Sequence, residues 1–345
     1  MSATRKRPRS LLKTSPSSSD SLISFCKALK QTKSILLSCH ILPEGDCIGS
    51  LRAMQSLLQR LGKKTLVVAE DYFPKRLTSC LNSKHWERYD DVKGSGIKFD
   101  ALLVTDCPTL ERIGKVRQLV KPETVIFNLD HHVSNNRFGH HNYILPKASA
   151  TGEVVMDVFK YFKMKLTQEE AKNIYIAIAT DTGSFRYSST TARTHQLVSE
   201  LINTGIDIES INDEINSNYS MNKIHLYSHL LNKIQTDKHE KIAWVAMTRD
   251  DVKRFGAEYE DSEGFIDFLK YIHNVKICFF ASELPDQDAI RISFRSRGKY
   301  DVNSIATHFK GGGHRKSSGC LFEGGITLKE SVDRVLERIR KDIDL

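Results

Sequence analysis

The chain has 345 residues, of which 40% are hydrophobic and 27% charged, so its length fits two domains and its composition fits an ordinary globular protein. No apolar stretch approaches the roughly 20 residues that cross a bilayer, and we expect neither a transmembrane helix, a signal peptide nor contact with a membrane. Residues 1–19 carry five basic and no acidic side chains, which leaves only +4 of the net charge of +9 on the rest.

The N-terminal residues 1–20 form a basic, Ser-rich tail that we expect to be disordered. Contact with nucleic acid and an organelle transit peptide are the alternatives for this tail. The seven cysteines include no C-x-x-C pair, which indicates neither a disulfide framework nor a structural zinc site. We interpret Cys47 and Cys107 as small buried residues, not as thiolate nucleophiles, and a reducing cytoplasmic location fits this cysteine content.

Apolar runs alternate with amphipathic stretches over residues 21–205. This alternation predicts a mostly parallel, doubly wound α/β sheet. His140 and His141 fall outside every predicted element and are assigned to a solvated loop. The predicted strands are Ser34–Cys39, Thr65–Ala69, Asp100–Thr105 and Thr124–Leu129, and predicted helices cover Thr151–Phe162, Thr167–Ala179 and Arg193–Ile202.

A second, smaller α/β domain is predicted over residues 236–345. Apolar residues at helical spacing predict a helical connector, residues 206–235, that leads into it. In the second domain we expect strands at Ile242–Met247, Val275–Glu283 and Ala289–Phe294, a helix starting near Asp301, and a C-terminal helix from Leu328 to about Ile343.

Acidic and histidine side chains follow the ends of several apolar segments in the first domain. Ligands of an open parallel sheet bind outside the carboxyl ends of its strands, so such side chains are expected to meet there. Taken singly, Asp106 has an ordinary explanation as a cap and Asp181 as part of a C-terminal turn. The set consists of His40, Glu44, Asp46, Asp106, Asp130, His131, His132 and Asp181.

A bound divalent cation best explains such a cluster, because carboxylates without a partner repel one another and raise each other's pKa. Oxygen ligands with one or two imidazoles suit manganese, magnesium, iron or cobalt better than structural zinc. Manganese is the metal that we expect.

A second group of candidate residues lies in the C-terminal part. Gly311, Gly312, Gly313 and His314 are followed by two cations, which favours a loop whose backbone N–H groups approach phosphate oxygens. A flexible turn is the ordinary alternative for the glycines. Arg295, near the end of a predicted strand, favours the anion-binding interpretation.

These motifs resemble those of the DHH phosphoesterase superfamily with a C-terminal DHH-associated domain. Among its members, the sequence is most similar to the bifunctional nanoRNase (oligoribonuclease)/pAp-phosphatase family. The family motif H-x-x-P-D-x-D-x-x-G-S corresponds to residues 40–50. The other motifs are Thr105-Asp106-Cys107, Asp130-His131-His132, Thr180-Asp181-Thr182-Gly183, Arg295-Ser296-Arg297-Gly298 and Gly311 to Gly319, so the resemblance extends from Ser34 to Cys320.

The resemblance implies a two-metal phosphoesterase whose active site lies in the interdomain cleft. It implies two Mn²⁺ ions, with Mg²⁺ or Co²⁺ as substitutes, and a homodimer formed through the first domain. One ion would be held by His40, residue 44 and Asp106, and the second by Asp46, Asp106, His131 and Asp181. Asp130 would orient an imidazole, His132 would face the phosphate, and Arg295, Ser296, Gly311, Gly312, Gly313 and His314 would bind substrate.

The implied substrates are short oligoribonucleotides, 3'-phosphoadenosine 5'-phosphate, or linear dinucleotides from cyclic dinucleotide turnover. Glu44 departs from the family's aspartate, so a non-catalytic or weakly active nucleotide-binding protein is the first alternative. A pyrophosphatase or polyphosphatase is the next alternative. A long-strand exonuclease is disfavoured because the body of the chain is only mildly basic.

Overall fold

The computed structural model describes residues 21–73, 77–78, 80–81, 84, 86–216, 219–285 and 287–342. The predicted tail, residues 1–20, lies outside the described residues. The chain divides into two compact units, Met1–Asn218 and Tyr219–Leu345, with the division inside the predicted connector. Within the described ranges, every helix is too short or too polar to cross a bilayer.

The first unit contains a six-stranded sheet with the order β3-β2-β1-β4-β5-β6. Every neighbouring pair is parallel, so the carboxyl ends of all its strands lie at one edge and the predicted fold class is confirmed. The strands are β1 (Ser34–Ser38), β2 (Lys64–Ala69), β3 (Trp86–Arg88), β4 (Ala101–Thr105), β5 (Val125–Asp130) and β6 (His141–Ile144). The helices are α1 (Leu22–Gln31), α2 (Gly45–Arg60), α3 (Tyr89–Val92), α4 (Thr151–Tyr161), α5 (Gln168–Asp181), α6 (Ala192–Ile202) and α7 (Ile208–Asn216), with a 3-10 helix at Leu110–Leu119.

The central strands are apolar at successive positions because both faces of the sheet are covered. Leu37 and Leu103 contribute to one core cluster, and their neighbours Leu36 and Leu102 contribute to another on the opposite face. Successive side chains of a strand point to opposite faces, so a doubly covered strand reads as a continuous hydrophobic run. This is why β1 and β4 are recognisable in the sequence.

Two glycines of α2 let this helix approach α5 closely. A Cβ atom on Gly49 would lie 2.3 Å from the carbonyl oxygen of Asn173, and one on Gly45 would lie 2.5 Å from Oγ1 of Thr180. The contact places the first turn of α2, with Asp46, beside the last turn of α5, which ends at Asp181.

The second unit contains a mixed six-stranded sheet with the order β11-β12-β10-β9-β8-β7. Only β8 and β9 pair in parallel, and the other neighbours are antiparallel. Its strands are β7 (Gln235–Thr236), β8 (Ile242–Met247), β9 (Ile277–Glu283), β10 (Ala289–Ser296), β11 (Gly312–His314) and β12 (Ser317–Glu323). Its helices are α8 (Met221–Asn232), α9 (Arg249–Arg254), α10 (Ile266–Leu269), α11 (Val302–His308) and α12 (Leu328–Asp342), with a 3-10 helix at Tyr259–Ser262.

The prediction of a solvated loop holds for His140, which is exposed and directly precedes β6, but it is wrong for His141. His141 begins the edge strand β6 and its ring stacks on Phe127 with 5.1 Å between centroids, while the backbone N–H of Ile126 donates to Nδ1 of His140. A strand of only four residues at a sheet edge is too short to show a hydrophobic period in the sequence, so its pairing defines it.

The loop predicted at the glycine cluster is also different in the structure. Residues Gly312–His314 form the edge strand β11, which pairs with β12 in a tight hairpin that turns at Arg315 and Lys316. Gly311 allows this close pairing, since a Cβ atom there would lie 2.1 Å from the carbonyl oxygen of Gly319.

We expect Gly49→Ala to destabilise the first unit by about 1–3 kcal/mol, because the added methyl group forces α2 away from α5. Chemical denaturation of the purified chain measures this loss. Gly312→Ala is the matched control, since its Cβ atom would meet no atom within 4 Å. Equal stability of the two variants would contradict the close approach of the helices.

Candidate metal centre

The loop between β1 and α2 carries the first two candidate ligands. Glu44 is the N-cap of α2, and its carboxylate oxygens accept hydrogen bonds from the backbone N–H groups of Asp46 (3.0 Å) and Cys47 (2.9 Å). Nε2 of His40 lies 3.9 Å from Oε1 of Glu44 and 3.5 Å from Oδ2 of Asp106. The residue that departs from the family motif therefore faces His40 and also starts the helix.

Asp46 joins α2 to the start of α4. Its carboxylate accepts hydrogen bonds from the backbone N–H groups of Thr151 (2.7 Å) and Gly152 (3.0 Å) and from the hydroxyl of Ser50 (3.0 Å). The N-cap of α4 is Ala150, whose side chain makes no capping hydrogen bond. Asp46 supplies the missing acceptor from another helix, and this fixes its side chain.

Asp106 lies at the centre of the group, directly after β4. Its backbone has φ +56°, a left-handed conformation that is unusual for aspartate and is held by a hydrogen bond to the carbonyl of Leu129. Oδ1 accepts a hydrogen bond from the hydroxyl of Thr151 at 2.8 Å and lies 3.6 Å from Nε2 of His131. Burial opposes its ionisation, but the neighbouring imidazoles outweigh burial and hold the pKa of Asp106 well below its usual range.

Three histidines have their Nδ1 atoms against oxygen acceptors. In His40, Nδ1 lies 2.7 Å from the carbonyl oxygen of Ile41, and in His131 it lies 3.2 Å from the carbonyl oxygen of Ala148. In His132, Nδ1 lies 2.7 Å from Oδ1 of Asp130. Because these oxygens accept, each ring holds a proton on Nδ1, and its neutral form presents an Nε2 lone pair. This is the tautomer in which an imidazole such as that of His40 or His131 can bind a metal through Nε2.

Asp130 orients the imidazole of His132. Its Oδ1 accepts hydrogen bonds from Nδ1 of His132 and from the backbone N–H of His131, and its Oδ2 accepts one from Asn135 at 2.6 Å. Burial alone would lower the pKa of His132, but the hydrogen bond to Asp130 and the nearby carboxylates raise it to about 9.

The carboxylates are crowded in a way that a divalent cation would relieve. Burial, followed by repulsion from Asp106, Asp181 and Glu44, raises the pKa of Asp46 well above its usual value. The pKa of Asp181 is raised to about 7 by burial and by the charges of Glu44 and Asp106, although His131 opposes this rise.

Two groups of donor atoms in this set could each hold a metal ion. One ligand atom each from Asp46, Asp106 and His131 lie within 4.8 Å of one another, and Nε2 of His131 is 3.4 Å from Oδ2 of Asp181. A second group of three combines His40 and Glu44 with Cys47. The pKa of the Cys47 thiol is raised well above its usual value by burial, so it is a neutral buried residue as predicted.

Thr151 and Asn135 contact the candidate ligands and their supporting residues but were not predicted from the sequence. Thr151 binds Asp46 through its backbone and Asp106 through its hydroxyl, and Asn135 supports Asp130. The only signal for Thr151 was its position at the start of a predicted helix. Asn135 follows the D-H-H motif closely but lacked a distinguishing pattern.

In the second unit, the structure aligns two of the predicted substrate-binding residues and separates a third. Arg295 pairs with Ser317, which pairs with His314, so these residues lie in one row on the same face of the sheet. Ser296 points to the opposite face, where its buried hydroxyl donates to the carbonyl of Tyr300 at 2.9 Å. Nε of Arg295 lies 3.5 Å from Oδ1 of Asp267.

Two family models match this chain. Residues 34–178 match the DHH family, N-terminal domain, and residues 229–344 match the DHHA1 domain. The first match contains all of the candidate ligands except Asp181.

The chain is similar over most of its length to proteins named bifunctional oligoribonuclease and PAP phosphatase NrnA. It is 28% identical to the one from Thermus thermophilus, with 90% of each chain covered, and 25% identical to the one from Bacillus subtilis, with 88% of this chain and 92% of the relative covered. A crystal structure described as an exopolyphosphatase-related protein from Bacteroides fragilis has a TM-score of 0.85 at 28% identity and covers 93% of this chain and 96% of that one.

We expect Thr151→Val to raise the dissociation constant for Mn²⁺ about 10-fold or more, because it removes the hydroxyl that orients Asp106 and keeps the side-chain shape. Isothermal titration calorimetry on the metal-stripped chain measures the affinity. Thr151→Ser retains the hydroxyl and should bind like the wild type. Unchanged affinity in the valine variant would show that Asp106 needs no such partner.

We expect Asp181→Asn to stabilise the metal-free protein, and its advantage over the wild type to grow as the pH rises from about 4 to 7. The pKa of this carboxyl is about 7 in the folded protein and 3.8 without the fold, so ionisation costs folded-state stability over that interval. Thermal denaturation in EDTA measures this difference, and saturating Mn²⁺ should reverse it. A constant difference between the two proteins from pH 4 to 7 would contradict the proposed carboxylate repulsion.

Proposed function

Because this protein joins a DHH family N-terminal domain to a DHHA1 domain, we propose that it is a metal-dependent phosphoesterase. Its proposed substrates are short oligoribonucleotides, which it hydrolyses to mononucleotides, and 3'-phosphoadenosine 5'-phosphate, which it hydrolyses to AMP and phosphate. Linear dinucleotides from cyclic dinucleotide turnover belong to the same class. The observation that carries the proposal is the group of carboxylates and imidazoles around Asp106.

We propose that His40, Glu44 and Asp106 hold one divalent ion, and that Asp46, Asp106, His131 and Asp181 hold another. What supports this assignment is the approach of Nε2 of both histidines to Asp106, at 3.5 and 3.6 Å. Bound there, Mn²⁺, or Mg²⁺ or Co²⁺ in its place, lowers the pKa of a water molecule and offsets charge on the phosphoryl oxygens.

His132 is proposed to act on the phosphate and Asp130 to position it. The hydrogen bond from Nδ1 to Asp130 leaves Nε2 as the atom that His132 can present to a phosphoryl or leaving-group oxygen. The second acceptor oxygen of Asp130 is occupied by Asn135, so the carboxylate cannot rotate away without losing a hydrogen bond.

The second domain is proposed to bind the part of the substrate away from the scissile bond. Arg295 and His314 lie on one face of its sheet, and β11, which contains His314 and two glycines, forms the edge of that sheet. A guanidinium and edge-strand N–H groups are suited to a phosphate. Binding energy from such a remote contact positions the scissile bond and favours short substrates.

A non-catalytic nucleotide-binding protein is the second candidate, and the specific observation in its favour is the role of Glu44 as a helix cap. Both of its carboxylate oxygens accept backbone hydrogen bonds. Each oxygen has a further lone pair, so capping and metal binding are compatible. Aspartate is itself a preferred N-cap, so Glu44→Asp tests the side-chain length without removing the cap.

We expect the metal-stripped full chain, once supplied with Mn²⁺, to release mononucleotides from a 5'-labelled RNA dinucleotide and AMP from 3'-phosphoadenosine 5'-phosphate. Glu44→Asp should hydrolyse both substrates at least as fast as the wild type. Asp106→Asn should retain less than about a hundredth of the activity, because it removes a shared ligand.

Three other results of these assays would contradict the proposed function. A silent wild type beside an active Glu44→Asp variant would mean that the natural protein binds nucleotides without cutting them. Release of phosphate from polyphosphate alone would favour a polyphosphatase. Full activity of Asp106→Asn would contradict catalysis at this centre.

A further inference from the structure

An exposed aromatic side chain lies at the edge of the sheet that carries the metal centre. Strand β2 ends at Ala69 beside β1, and Tyr72 follows three residues later with 72% of its surface exposed. The third strand in this direction, β3, ends at Arg88 at the same edge. Neighbouring strands are about 4.8 Å apart, so the ends of β2 and β3 lie roughly one and two strand spacings from β1.

Arg88 supports the ring of Tyr72 from one side. The guanidinium carbon lies 3.9 Å from the ring centroid, and Nη1 of the same group donates a hydrogen bond to the tyrosine hydroxyl at 2.8 Å. A cation at this distance is attracted to the ring face, and the hydrogen bond fixes its rotation. We call this pair the Tyr72 platform.

The Tyr72 platform is tied to the ligand loop by the residue that precedes it. The carboxylate of Asp71 accepts a hydrogen bond from the backbone N–H of Leu42, which lies between His40 and Glu44. The carbonyl of Asp71 accepts one from Nε1 of Trp86 on β3 at 3.0 Å. The position of the platform is therefore fixed relative to residues 40–44.

Exposed apolar side chains of the first unit are concentrated around the metal centre. Among the described residues of this unit, five large hydrophobic residues are exposed, and three of them are Leu42 (63%), Tyr72 (72%) and Val133 (82%). Leu42 lies between two candidate ligands, and Val133 directly follows His132. An apolar surface beside a polar centre is typical of a site that binds a ligand with both characters.

We propose that the Tyr72 platform stacks a nucleobase of the nucleotide whose phosphate is bound at the metal centre. The proposal rests on the proposed function and adds a base-binding site within the first domain. A nucleobase is the flat, weakly polar part of the substrate, and every base has a face that an aromatic ring can stack. The site therefore binds purines and pyrimidines alike, with Arg88 holding the ring in place.

The test measures binding and does not depend on turnover. Its ligand is an RNA dinucleotide with a non-hydrolysable methylenephosphonate linkage, titrated into the full chain with Mn²⁺. Two matched ligands lack the base on one or the other nucleotide. We expect Tyr72→Ala to weaken binding of the complete ligand about 5- to 150-fold. One of the two abasic ligands should bind equally to the wild type and to this variant.

Two further variants separate stacking from a general loss of structure. Tyr72→Trp keeps an aromatic face and should bind like the wild type. Ile202→Ala removes another exposed apolar side chain, at the end of α6, and should have no effect. Stabilisation by Mn²⁺ in thermal denaturation should be the same in Tyr72→Ala and wild type, because the platform contributes no ligand.

Equal binding of the complete dinucleotide by Tyr72→Ala and wild type would overturn the proposal, as would a wild type that binds none. The proposal would also be overturned if Tyr72→Ala weakened the binding of both abasic ligands by the same factor, since that loss of affinity would not depend on a base. Wild-type hydrolysis with binding that is independent of Tyr72 would reject the platform alone. Binding that depends on Tyr72 without hydrolysis would reject the catalytic function and keep the platform.

Discussion

The hydrogen bonds from the start of α4 to the carboxylate of Asp46 are the interaction on which the candidate metal centre depends. Asp46 lies in the first turn of α2, and Thr151 and Gly152 open α4, so one carboxylate joins two helices that are distant in sequence. The same threonine binds Asp106 after β4. Two segments that carry candidate ligands are thus held by one helix terminus, whose backbone N–H groups and partial positive charge favour carboxylates.

This arrangement keeps negative charge together at a cost to the metal-free fold. The raised pKa values of Asp46 and Asp181 show that burial and mutual repulsion oppose ionisation of both side chains. The left-handed backbone of Asp106 adds strain of the kind found at functional sites. Such crowding is expected of a centre whose stable state includes bound cations.

The central strands and the helices α4, α5 and α6 could be predicted because their signals are local. A strand covered on both faces is continuously apolar. In β1, for example, Leu36 and Leu37 pack into core clusters on opposite faces of the sheet. The edge strands β3, β6 and β11 could not be predicted, because three or four residues are too few to show a hydrophobic period and become a strand only by pairing with a neighbour. His141 lies in one of these strands, and this is why the loop prediction failed for it.

The sequence by itself determined which chemical groups are present and where each stands relative to its own strand or helix. It placed His40, Asp106 and Asp130 after buried strands, and the parallel order of the sheet then required a shared edge. Only the tertiary structure decided that Glu44 caps α2, that Thr151 binds Asp46 and Asp106, and that Tyr72 rests on Arg88. Local patterns record periodicity along the chain, whereas these contacts join segments whose meeting depends on how strands and helices pack.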